Sequence, residues 1–134
     1  MKVLWVTSLI MGGILLISSC ATVPTRALNP GELMLFKIEV PQEGDSRKGL
    51  PFRVNLYFEA EGKPEIKRAC FYWSGDGPYC FKINNVKYGP PGMMEVDIRT
   101  NLIGSYSLQG YVLYLRNGKT EISNKVSTLI HIIP

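Results

Sequence analysis

The sequence predicts an all-β domain of about seven antiparallel strands, folded as a sandwich or small barrel, and three observations carry that expectation. Beyond residue 31 no stretch of useful length places apolar residues at helical spacing, whereas apolar and polar residues alternate with period two in run after run. Glycine, proline and asparagine bound these runs, with turn signals roughly every 8–12 residues, the rhythm of a β-sandwich. Length sets the third limit. A chain of 134 residues whose first part is leader and tether has room for one domain of about 100 residues, enough to bury a core of its own.

The chain opens with Met1-Lys2, a positive start, followed by an uncharged run over residues 3–17 and small residues before Cys20. At about 1.5 Å per residue that run makes roughly 22 Å of helix, short of a hydrocarbon core of about 30 Å, and Gly12-Gly13 weaken it further. A signal helix over residues 1–19 fits better than a membrane span. Ile17-Ser18-Ser19-Cys20 also resembles the bacterial lipobox, an aliphatic residue three positions before a cysteine with two small residues between. The resemblance implies removal of residues 1–19, a diacylglyceryl thioether on Cys20 and acylation of its new amine, palmitate being the typical chain. One chain binds a membrane with K of only about 10⁴ M⁻¹, but several on one residue make a permanent anchor. An ordinary signal peptide with a chance cysteine is the alternative. Ala21 is not the aspartate that resembles the inner-membrane retention signal of enteric lipoproteins. The expected location is therefore the periplasmic face of the outer membrane, ahead of the outer leaflet of the inner membrane. Residues 20–31 form the lipidated tether, kept irregular by Pro24 and Pro30; residues 21–31 extend to about 36 Å.

Residues 32–134 make the sandwich. The first strand is expected over residues 32–40 with Met34, Phe36, Ile38 and Val40 inward, although Leu33 and Leu35 make its other face partly apolar; Pro41 ends it. A charged loop over residues 42–49 leads to a strand over 52–60, where Phe52, Val54, Leu56, Phe58 and Ala60 face in and Arg53, Asn55, Tyr57 and Glu59 face out. Gly62-Lys63-Pro64 turn the chain into a third strand over 66–73, and residues 74–78 turn it back into a fourth over 79–83. Residues 84–92, with Pro90-Pro91-Gly92, read as a connection. A short fifth strand follows over 93–99 with Met94, Val96 and Ile98 inward.

Residues 105–115 and 120–133 predict a long hairpin around Asn117-Gly118, a type I′ signal, and a two-residue turn there pairs Leu113 with Ile122 and Tyr106 with Leu129. Tyr106 and Leu108 follow one alternation while Tyr111, Leu113 and Leu115 follow the other, a conflict that a bulge near Gly110 would resolve. Residues 130–133 are apolar on both faces, as in a strand covered on both sides or a face awaiting a partner. The pattern Met94-x-Val96-x-Ile98, then Gly104-x-Tyr106-x-Leu108-x-x-Tyr111-Val112, resembles the E and F strands of bacterial immunoglobulin-like domains. It implies an immunoglobulin-like sandwich with Tyr106 as the tyrosine-corner residue and Leu108 where an antibody domain has its second cysteine. No disulfide joins the B and F strands here, which leaves the strand order open; a transthyretin-like sandwich fits the same strands.

Three cysteines are an awkward number for an exported chain. If Cys20 carries lipid, as the lipobox resemblance implies, Cys70 and Cys80 remain as a pair in an oxidising compartment, where a disulfide is the default. Nine residues lie between them, a loop whose closure contributes about 2–3 kcal/mol in the chain-entropy account. Directly opposed cysteines then call for a three- or five-residue loop centred on Gly75. Metal and redox readings lack the residues: His131 is the sole histidine and no Cys-x-x-Cys occurs, so no cofactor is expected.

Loss of Lys2 with the leader lowers the net charge from +4 to +3, and the charges are scattered, Lys63, Lys67 and Arg68 being the densest group. A nucleic-acid surface would show a concentrated stripe, so no nucleic-acid partner is expected. A Ser/His/Asp arrangement would have to use His131, which alternates along a strand with Ser127, Leu129 and Ile133. Glu95 and Asp97 share the outer face of a strand, without the cleft that paired catalytic carboxylates need. No phosphate loop or calcium loop is present, and no enzyme is predicted.

Phe71, Tyr72 and Trp73, followed after the turn by Tyr79 and Phe81, put aromatic rings on both faces of one hairpin, and a single core cannot cover both. Tyr72, Trp73 and Tyr79 are the candidate binding residues; the plainer reading places Phe71 and Trp73 in the core. Two functions follow. One is a membrane-anchored protein-interaction or assembly module that offers an edge strand or the aromatic hairpin to another envelope protein. The other is a glycan-binding module that uses these rings as a platform for peptidoglycan or polysaccharide. The hairpin itself supplies few polar partners, mainly Asp76 and Ser74, which favours the first.

Overall fold

The computed structural model describes residues 27–40 and 46–134. The expected leader, Cys20 and the tether as far as residue 26 lie outside these residues, as does the first part of the charged loop. Among the described residues the chain forms ten strands and no helix: β1 (Leu33–Glu39), β2 (Ser46–Arg47), β3 (Phe52–Ala60), β4 (Ile66–Trp73), β5 (Asp76–Phe81), β6 (Asn85–Lys87), β7 (Gly92–Ile98), β8 (Gly104–Arg116), β9 (Lys119–Ile122) and β10 (Val126–Ile133).

Two sheets face each other. One runs β1-β3-β7-β6; the other runs β2-β10-β8-β4-β5, with β9 beside the second half of β8. Pairing is antiparallel, as expected, apart from the two-residue β2, which lies parallel to β10 at one edge. β1, β3, β7 and β6 stand where immunoglobulin domains have A, B, E and D. β10, β8, β4 and β5 stand where they have G, F, C and the added strand of variable types. The tyrosine corner is closed as well, the Tyr106 hydroxyl donating to the Ile103 carbonyl at 2.9 Å.

β3 follows its alternation, with Phe52, Val54, Leu56 and Phe58 buried, and β7 sets Met94 beside Leu56 and Val96 beside Val54. From the second sheet Phe71, Trp73, Leu108, Val112, Tyr114, Ile130 and Ile132 complete the core. Each such side chain, fully buried, contributes roughly 1.5–3 kcal/mol.

Other strands depart from the simple alternation, each for a visible reason. In β1 the buried residues are Leu33, Leu35 and Ile38, while Phe36 is 51% exposed. The pairing with β3 breaks between Leu35 and Lys37, so the phase flips at Phe36. The Asn124 side chain takes the place of a strand neighbour there: its Oδ1 accepts from the Leu35 N–H and its Nδ2 donates to the Leu35 carbonyl, both at 2.8 Å. Residues 84–92 are not wholly a connection, because β6 pairs with β7 and half-buries Val86 against the core.

The long hairpin keeps the expected turn, with Asn117 and Gly118 at positive φ and Leu113 opposite Ile122. Tyr106, however, pairs with Ile130 rather than Leu129. The extra residue lies between β9 and β10, opposite the expected bulge near Gly110. Ser123 holds the break, its N–H donating to the Val112 carbonyl at 3.0 Å and its Oγ accepting from the Val112 N–H at 2.9 Å. β8 therefore keeps one phase throughout, Leu108, Gly110, Val112 and Tyr114 facing in. Gly110 is the step that alternation could not count: a Cβ there would lie 3.0 Å from the Phe71 ring, which occupies that space. Tyr111, Leu113 and Leu115 take the outer phase. At the end of β10, Ile130 and Ile132 are buried, whereas Leu129 is 83% exposed and Ile133 is half-buried at the β2 edge.

Candidate binding cleft

The β4–β5 hairpin supplies the candidate site. Trp73 pairs with Asp76 across a two-residue turn in which Ser74 and Gly75 both have positive φ. This corrects the expected three- or five-residue loop. The cysteines still oppose each other because β5 carries one extra residue, Gly77-Pro78 lying across from Tyr72 alone. Gly77, at φ 140°, has room for no Cβ, which would lie 2.7 Å from the Phe71 carbonyl. The Cys70–Cys80 disulfide then staples β5, which has a neighbour on one side only, to the buried β4.

Alternation sends Phe71, Trp73, Tyr79 and Phe81 to the inner side of the sheet. Phe71 and Trp73 are buried, with Phe52 and Tyr106 each edge-on to Trp73 at 6.3 Å. Tyr79, by contrast, is 47% exposed. Residues 99–102, between β7 and β8, face it across a cleft of about 530 Å³. Trp73, Tyr79, Phe81 and Leu102 give the apolar lining; Asp76, Arg99, Thr100 and Asn101 give the polar one.

This loop is held in place. The Thr100 Oγ1 accepts from the Leu102 N–H at 3.1 Å, its carbonyl accepts from the Gly49 N–H at 2.8 Å, and the tyrosine corner fixes Ile103. On the facing wall the Tyr79 hydroxyl donates to Asp76 Oδ2 at 3.0 Å, and that hydrogen bond holds the phenol above its ordinary pKa. Arg99 is exposed. The cleft opens at the end of the sandwich away from the point where the chain enters it. Leu33 pairs with Ala60 at one end, where Arg116 Nε donates to the Pro30 carbonyl at 3.0 Å. Trp73 meets Phe52 at the other. The nine residues of β3 separate the two ends by roughly 25–30 Å.

The three candidate binding residues do not form one platform. Trp73 is only 3% exposed and forms the cleft's inner wall. Tyr72 lies on the opposite face of the sheet, beside Tyr111 and under the Lys125 ammonium, 5.0 Å from the ring centroid. Of the three, only Tyr79 presents an accessible ring to the cleft, beside the half-buried Phe81. The sequence reading missed Arg99, Thr100 and Asn101, and the corner motif at Gly104 and Tyr106 was the signal that would have placed their loop beside Trp73.

Other chemistry-bearing groups are accounted for by their surroundings. Glu95 and Asp97 are ion-paired by Arg53 at 3.1 and 2.7 Å, and the Arg53 hydrogen bond holds Asp97 below its ordinary pKa. Ser105 Oγ lies 2.9 Å from His131 Nδ1 on the exposed outer face, but no carboxylate among the described residues orients that ring. No protein-family model matches the chain, and no match was found among curated proteins.

Proposed function

We propose that this chain is a lipid-anchored envelope protein, held by Cys20 on the periplasmic face of the outer membrane, whose sandwich docks a partner protein at the cleft between β5 and residues 99–102. The observation that carries this reading is the accessible Tyr79 ring on a wall formed by an edge strand, with Arg99 on the facing wall of the same cleft. Tyrosine and arginine are enriched among residues that dominate interfaces, and an edge strand adds backbone groups to side-chain recognition. The placement is favourable, since a domain tethered at one end offers the other to its surroundings. The Cys70–Cys80 disulfide supports an oxidising compartment, and the lipobox-like Ile17-Ser18-Ser19-Cys20 supports the anchor.

Globomycin tests the anchor: a lipoprotein accumulates as its precursor, whereas an ordinary exported protein is processed normally. Pull-down from detergent-solubilised envelope tests docking. Wild type should retain a defined protein, and Tyr79→Ala with Arg99→Ala should lose it without a change in melting. Trp73→Ala is unsuitable, since truncating a buried aromatic costs roughly 3–5 kcal/mol and would disturb the fold. A glycan-binding role is the second reading, favoured by the polar Asp76, Arg99 and Asn101 around Tyr79. Retention on peptidoglycan or polysaccharide, lost in the same double variant, would select it over the first.

A further inference from the structure

We propose that the cleft receives an extended peptide segment that adds to β5 as a further strand and carries an acidic side chain to Arg99. This rests on the docking reading above and specifies the partner's chemistry. β5 is the last strand of its sheet and pairs with β4 alone. The Cα atoms of Cys70 and Cys80 are 4.0 Å apart, the narrow spacing of an antiparallel pair whose N–H and C=O groups point away from each other. Cys80 therefore turns its amide and carbonyl to the free side, and among the described residues no backbone hydrogen bond from a loop closes on them.

Tyr79 and Phe81 do the reverse, directing their backbone groups to β4 and their side chains inward. A strand laid along Cys80 would thus set alternate side chains in the cleft beside these two rings. Pro78 has no N–H to offer and limits the usable edge on one side, which also guards it against indiscriminate pairing. So short a ladder leaves most of the selectivity to side chains. The cleft's apolar walls fit an aromatic or aliphatic residue. Arg99 makes no ion pair among the described residues, whereas the opposing carboxylate of Asp76 already accepts the Tyr79 hydroxyl. Asp76 keeps its charge but has a donor already, whereas the Arg99 guanidinium has its donors open to the cleft. The side chain that matches them is an aspartate or glutamate.

Linear random peptides displayed on phage, selected on the purified full-length chain in detergent, provide the probe. Binders should share an acidic residue at a fixed distance from an apolar one. Their binding should fall at least about tenfold in Arg99→Glu and return when the peptide's acid is changed to lysine. Exchange of the Cys80 amide should slow at least about tenfold on binding. Binding that is lost in Tyr79→Ala but unmoved in Arg99→Glu, with the Cys80 amide unprotected, overturns strand addition and leaves docking at the cleft intact. Peptide binding and envelope pull-down both indifferent to Tyr79→Ala overturn the docking reading itself. A selection that yields no binder also overturns strand addition, while the pull-down still reports on docking.

Discussion

The β4–β5 hairpin and the β8–β9–β10 hairpin are built alike and fastened differently. Each closes on a two-residue turn, and each carries one extra residue on its returning strand, Gly77-Pro78 in one and the Ser123 to Lys125 stretch in the other. In the second, the irregularity binds the sandwich together: Ser123 caps Val112, and Asn124 crosses to the Leu35 backbone of the other sheet. In the first, among the described residues, core side chains pack across but no hydrogen bond runs from the extra residue to the other sheet. β5 is exposed along nearly its whole length and is fastened by a disulfide. A strand left without a second neighbour, yet covalently prevented from fraying, is the feature on which the proposed docking rests.

Removing the staple should show the largest difference. Cys70→Ala with Cys80→Ala, or reduction, is expected to lower stability by about 2–3 kcal/mol. Amide exchange should accelerate first in β5, with β8 and β10 protected up to global unfolding. Denaturant melts with and without reductant measure the loss. If β10 opened as early as β5, the two hairpins would not differ as argued.

Next comes the interior of the other hairpin. Gly110→Ala pushes a methyl group against the Phe71 ring, and overpacking of this kind costs roughly 1–3 kcal/mol. Asn124→Ala removes both bonds to the Leu35 backbone and should cost about 1–2 kcal/mol, moderated by solvent access at that site. Thermal melts rank the two, and neither variant should alter partner retention by the cleft. A loss of retention in Asn124→Ala would tie the cleft to the cross-sheet link.

These residues also mark where the sequence was legible. β3 could be read directly because its inward positions are all apolar, and large from Phe52 to Phe58, while its outward ones carry polar groups. β8 could not, because Gly110 leaves a blank in the inward phase while Tyr111, Leu113 and Leu115 fill the outward one with apolar side chains. The true phase of β1 depends on a side chain 89 residues away, beyond the reach of any local pattern. Of the cleft, Tyr79 was visible as an aromatic in excess of what one core can bury. Arg99 and Asn101 were legible only through the corner motif at Gly104 and Tyr106, since the sandwich topology, not a local pattern, brings the turn between β7 and β8 beside β5. Trp73 looked like a binding residue by composition and proved to be the core residue that its alternation with Phe71 allowed.

The finest difference between the hairpins lies in two tyrosines that titrate the same way for different reasons. Tyr79 is held above its ordinary value of 10.0 by the hydrogen bond to Asp76. Tyr111 is held above the same value chiefly by burial, with neighbouring Tyr72 adding to it. A phenol whose folded pKa is raised contributes stability that is fully present below the unfolded value and is lost as pH rises through the folded one. Both therefore predict a small decline in stability on the alkaline side of 10.0 and none near neutrality. Asp76→Asn separates the causes. Tyr79 ring resonances, followed by NMR against pH, should move down toward the ordinary value in that variant, while those of Tyr111 stay where they were. A Tyr79 titration unmoved by Asp76→Asn would remove the carboxylate from the cleft's electrostatics, and a shift at both rings would mean that the open hairpin and the packed one respond as a single unit.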